Sequence, residues 1–83
     1  MPQPPSRSRV YWRCRRGMLE LDLLLRAFME GGYDRLDARA QAAFLALLDY
    51  PDAVLLELLM GRAASTDPEV TRVVQSIRAT AAP

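Results

Sequence analysis

The pattern of apolar residues predicts an all-α protein, a small bundle of five short helices. Three observations carry that prediction. Apolar residues recur at i, i+3, i+4 and i+7 in successive stretches, the period of a helix face turned toward a core. The stretches are separated by helix punctuation at Gly17, Gly31-Gly32, Tyr50-Pro51, Gly61 and Asp67-Pro68. No run of β-branched or aromatic residues alternates with polar ones over four or more positions, so no strand is expected. With 83 residues the chain is one domain, near the size at which a single core barely suffices; its 51% apolar content favours folding over disorder.

Residues 1–8 contain Pro2, Pro4 and Pro5 and no apolar period, and they are expected to form a disordered tail. The folded domain is expected over residues 9–79. Its first helix spans Arg9 to Arg16, with Val10, Cys14 and, at the edge, Tyr11 turned inward. Gly17 falls where a helix C′ residue wants positive φ, which glycine adopts without a Cβ penalty. A second helix runs from Met18 to Glu30 on a stripe of Leu21, Leu24, Leu25 and Phe28, with Asp22 and Arg26 spaced for an i,i+4 pair. Asp37 caps a third helix that buries Ala40, Ala43, Phe44, Leu47 and Leu48. Tyr50-Pro51 ends it, because proline disfavours helical geometry in the preceding residue. Asp52 is the expected cap of a fourth helix on Leu55, Leu56, Leu59 and Met60, with Gly61 as its stop. Asp67-Pro68 opens the fifth, on Val70, Val73, Val74 and Ile77. Residues 80–83 should fray.

Composition removes several classes of function. The chain has no histidine and a single cysteine, so zinc sites of the usual kinds, Ser–His or Cys–His nucleophiles and an internal disulfide are all excluded. No glycine-rich phosphate loop opens a helix. Glu20 and Asp22 lie two residues apart, which on a helix directs them about 200° from each other, not to a common point. Cys14 has arginine on both sides, a setting that can lower a thiol pKa, yet its register with Val10 makes it a packing residue. No catalytic or metal-binding residue is assigned, and the chain is not expected to be an enzyme by itself. No apolar run approaches the ~20 residues of a membrane span, and no secretory signal or presequence pattern is present. A cytoplasmic protein without a membrane partner is expected.

Charge concentrates between Arg9 and Asp22. Arg7, Arg9, Arg13, Arg15 and Arg16 are five of the eleven basic residues, although net charge is only +1. Arg9, Arg13 and Arg16 share one face of the first helix, Trp12 lies beside them, and Glu20 and Asp22 follow the turn. Such charges suit helix caps, each contributing ~0.3–1 kcal/mol through the macrodipole. One arginine and one carboxylate would suffice for that, and the redundancy points to a binding surface, where Arg, Trp and Tyr are enriched. Leu19 and Leu23, on the polar side of the second helix, are either scattered surface leucines or the apolar part of that surface. A nucleic-acid groove built on the arginines and Trp12 is the alternative; the acids that follow at once and the near-zero net charge weigh against it.

The run Cys14-Arg15-Arg16-Gly17-Met18-Leu19-Glu20-Leu21-Asp22 closely resembles the signature of the succinate dehydrogenase assembly factor family, the small FAD assembly or flavinylation factors. The R-G-x-x-E core of that family appears as Arg16, Gly17 and Glu20. Arg9, Trp12 and Tyr33-Asp34 resemble its bacterial members, and length and helix spacing fit from Arg9 to Ile77. The resemblance implies a chaperone that binds the flavoprotein subunit of succinate dehydrogenase, or of the related fumarate reductase. That subunit then attaches FAD covalently to its own histidine. On this reading the chain holds no cofactor stably by itself and is a monomer or a weak homodimer. Its partner-binding residues are Arg9, Trp12, Arg15, Arg16, Gly17, Glu20 and Asp22. Arg16 and Glu20 would pair with groups on the subunit, and Gly17 would let two backbones approach. The resemblance also leaves open an antitoxin-type interaction module.

Overall fold

Five helices stand in the expected order in the computed structural model, which describes residues 5–81: α1 (Arg7–Arg13), α2 (Leu19–Gly31), α3 (Ala38–Leu48), α4 (Asp52–Leu59) and α5 (Pro68–Ala81). A single 3₁₀ turn, Tyr33–Arg35, joins α2 to α3, and the described residues contain no strand. The amphipathic α5 is the centre of the bundle, packing against α2, α3 and α4. Its buried residues are Val70, Val73, Val74 and Ile77, the stripe read from the sequence. Phe44 of α3 anchors the other side, its ring centroid 5.3 Å from those of both Phe28 and Tyr33, in tilted geometries that suit the aromatic quadrupole.

Local chemistry explains most element ends. Asp37 and Asp67 cap as expected, each carboxylate accepting at 2.9 Å from a free N–H of the first turn, Ala40 and Glu69 respectively. Gly61 takes φ +76°. The Gly61 N–H then donates to the Leu58 carbonyl at 3.2 Å and the Arg62 N–H to the Glu57 carbonyl at 2.9 Å, closing α4 in a Schellman motif.

Several features differ from expectation. The first helix starts at Arg7 because the Ser6 side chain caps it, accepting from the Arg9 N–H at 3.3 Å. Arg7 and Ser8, assigned to a disordered tail, are therefore helical; residues 1–4 lie outside the described residues. At the other end α5 continues through Thr80 and Ala81, and residues 82–83 lie outside. Asp52 does not cap α4: Pro51 holds that position and Asp52 is the first helical residue, its carboxylate turned to Arg16. Finally, α4 buries Leu55, Leu58 and Leu59, while Leu56 and Met60 are only half-buried. Leucines at 55, 56, 58 and 59 leave periodicity unable to choose between two stripes, and packing against α2 and α5 makes the choice.

Candidate functional site

The arginine-rich stretch forms a corner between α1 and α2. The first helix stops at Arg13, three residues earlier than its pattern predicts, with Cys14 as C-cap. The Arg15 N–H still reaches the Trp12 carbonyl at 3.1 Å. The next N–H, of Arg16, leaves the helix ladder and donates to Asp22 Oδ1 at 2.6 Å. That exchange opens the last turn and makes Asp22 a clamp on the corner instead of an i,i+4 partner for Arg26. Gly17 has φ +80°, as expected, but as the pivot of the corner and not as the C′ residue of α1. A Cβ on Gly17 would meet no atom within 4 Å, so its outer side is open space.

The arginines divide into two groups. Arg7, Arg13 and Arg16 face the fold. Arg7 Nε lies 3.2 Å from Asp34 and its guanidinium also donates to the Met29 carbonyl. Arg13 lies 2.5 Å from Asp49. Arg16 Nε lies 2.8 Å from Asp52, while its Nη1 and Nη2 donate to the Leu48 and Tyr50 carbonyls at 2.6 and 2.9 Å. With its side chain only 16% exposed, Arg16 is built into the molecule. Arg9 and Arg15 are exposed and have no ion pair among the described residues.

Around those two lies the surface itself. Trp12 is 62% exposed, and the Arg15 guanidinium carbon stands 5.4 Å from its ring centroid, a cation–π contact worth ~0.5–1 kcal/mol at an exposed site. Leu19 and Leu23, one helical turn apart on α2, are 72% and 56% exposed. Glu20 is exposed in the first turn of α2, without an ion pair among the described residues. Two cations, one anion, an indole and two leucines stand on the residues that flank the turn.

Cys14 belongs to the core beneath. It is 2% exposed, and its Sγ donates to the Val10 carbonyl at 3.3 Å. Burial pushes its thiol pKa up to about 11, outweighing the pull of the Arg16 and Arg13 charges. The thiol is therefore neutral near pH 7 and is not a nucleophile.

Of the seven residues expected to meet a partner, Arg9, Trp12, Arg15, Gly17 and Glu20 are exposed, whereas Arg16 and Asp22 are half-buried and bonded within the corner. Sequence reasoning did not find Asp34, Asp49 and Asp52, the carboxylates that hold α1 and the corner. Asp34 entered only through the Tyr33-Asp34 resemblance, and Asp52 only as the expected cap of α4. No spacing rule connects residues 13 and 16 to an acidic pair 36 positions later.

A family model described as "Flavinator of succinate dehydrogenase" matches residues 8–81. The chain is 42% identical over 76 residues to the FAD assembly factor SdhE of Shewanella oneidensis, covering 92% of this chain and 93% of that protein. It is 44% identical over 73 residues to the protein of the same description in Legionella pneumophila, covering 88% and 91%. Against that of Coxiella burnetii it is 36% identical over 78 residues, covering 94% and 95%.

Proposed function

The chain belongs to the succinate dehydrogenase flavinator family, and we propose that it is an assembly factor that binds the flavoprotein subunit of succinate dehydrogenase and promotes covalent attachment of FAD to it. The single observation that carries this reading is the division of the arginines. Three are committed to Asp34, Asp49 and Asp52, while Arg9 and Arg15 stand free around a Trp12 that is 62% exposed. Large exposed aromatics beside arginine are the composition of an interface anchor. The contact residues are Arg9, Trp12, Arg15, Gly17 and Glu20, with Leu19 and Leu23 as their apolar flank; Arg16 and Asp22 hold the corner in shape. The chain supplies binding, and the bond to FAD forms on the partner, so this protein holds no flavin of its own. It acts as a cytoplasmic monomer, and a fumarate reductase flavoprotein is a second substrate of the same kind. No helix among the described residues is long and apolar enough to cross a membrane.

Nucleic-acid binding is the weaker reading, since only two of the five N-terminal guanidiniums are left to meet phosphates. Reconstitution tests the proposal: purified apo flavoprotein subunit and free FAD, with and without this chain, followed by flavin fluorescence of the denatured subunit. Faster covalent incorporation with the chain present is expected. Equal rates, together with salt-sensitive binding to mixed DNA or RNA, would favour the nucleic-acid reading instead.

A further inference from the structure

We infer that Arg16, the arginine of the R-G-x-x-E core, is a positioning residue that acts through Asp52 and the α3–α4 turn and does not itself grip the partner; this rests on the partner-binding reading above. The guanidinium has five N–H donors. Nε bonds Asp52, Nη1 bonds the carbonyls of Leu48 (2.6 Å) and Arg13 (3.4 Å), and Nη2 bonds the carbonyl of Tyr50 (2.9 Å). One N–H remains. Forked recognition of a carboxylate on another protein needs two parallel N–H groups, and Arg16 cannot offer them without dismantling these bonds.

What the bonds accomplish is positional. Leu48 is the last residue of α3, so its carbonyl is one that a helix leaves without an internal partner, at the negative end of the macrodipole. Asp52 opens α4. The Arg16 backbone N–H holds Asp22 in α2, and the Arg13 carbonyl ends α1. One residue therefore ties the ends of four helices together, and Gly17 and Glu20 are set out from that knot. Asp52, far from the signature in sequence, belongs to the same functional unit.

The test is a double-mutant cycle on the affinity for apo succinate dehydrogenase flavoprotein subunit, with Arg16→Lys and Asp52→Asn singly and together. Circular dichroism fixes an assay temperature at which every variant is folded; both changes are conservative so that folding survives. Each single variant should weaken binding by about tenfold, the usual scale for losing a charge-assisted hydrogen bond. The double variant should be no weaker than the worse single one, because both break one knot. A loss at Arg16 with Asp52→Asn unchanged, or strictly additive losses, would make Arg16 a direct contact and overturn the inference. Lower melting temperatures with unchanged affinity would make the knot merely structural and overturn it equally. Trp12→Ala in the same assay separates the two levels. A loss with Trp12→Ala while Arg16→Lys and Asp52→Asn both bind normally overturns only the positioning role, whereas no binding by the unaltered chain overturns the proposed function.

Discussion

Gly17 and Gly61 form a matched pair for testing whether the corner is approached closely by another molecule. Both have positive φ, +80° and +76°, so alanine at either meets the same backbone penalty, ~1–2 kcal/mol for an L-residue in the left-handed region. Alanine also restricts the unfolded chain, which offsets ~0.4–1 kcal/mol of that cost. The net loss is about 1 kcal/mol, or about 4–8 °C in Tm for a domain of this size. At Gly17 an added Cβ meets nothing within 4 Å, whereas at Gly61 it comes 2.9 Å from the Arg78 guanidinium, the far end of a flexible side chain that can move aside. The two variants should therefore melt alike. Function should separate them, because Gly61 closes α4 outside the corner while Gly17 is its pivot. Measured below both transitions, covalent flavin incorporation into the partner subunit should be normal with Gly61→Ala and strongly reduced with Gly17→Ala. Wild-type incorporation with Gly17→Ala would refute close backbone approach at that residue. An unchanged Tm for both would refute the strain on which the comparison depends.

Alkaline stability should depend on Cys14. Its thiol pKa is raised from the ordinary 9.0 to about 11, so the folded state favours the neutral thiol. The stability this gives is complete below pH 9 and is lost as pH rises from 9 to 11. At ~1.4 kcal/mol per pH unit the loss reaches about 2–3 kcal/mol. Urea unfolding of Cys14→Ala should show a shallower decline over that window; Tyr33, whose pKa burial also raises, adds a slope that this variant keeps. Removing a cap should cost about 1 kcal/mol at Asp37 and at Asp67, measured by chemical denaturation of Asp37→Ala and Asp67→Ala. Phe44→Ala, which empties the centre of the aromatic cluster, should cost ~3–5 kcal/mol and leave the domain largely unfolded at 37 °C by circular dichroism.

The core was legible in the sequence wherever one stripe alone fitted a helix. In α5 the apolar positions admit a single face, and all the residues read as buried there are buried; in α3, apolar almost all round, the bulky residues Phe44, Leu47 and Leu48 marked the buried side. α4 has leucine on too many sides for that, so periodicity offered two faces and tertiary packing selected one. The tail was read by composition, which gave its prolines more weight than the capping geometry of Ser6. At the corner, the local rules predicted that Gly17 would need positive φ and that Leu19 and Leu23 would stand outside the core, and both are so. They could not divide the arginines. Whether a guanidinium faces solvent or the fold depends on carboxylates brought close by the path of the chain, Asp49 and Asp52 above all. Helical phase also misplaced Arg16, because α1 ends before reaching it.

Glu20 gives the most direct test of whether the exposed corner is the surface that meets the flavoprotein subunit. It is exposed, has no ion pair among the described residues, and contributes to the fold only by standing in the first turn of α2, an effect of ~0.3–1 kcal/mol. The measurement is covalent flavin on the subunit after incubation with Glu20→Ala, with the melting temperature read from the same preparation. Near-normal melting with flavin incorporation reduced toward the level seen without this chain is the expected result; near-normal melting with normal incorporation would contradict it and leave Glu20 as a helix-end charge and nothing more.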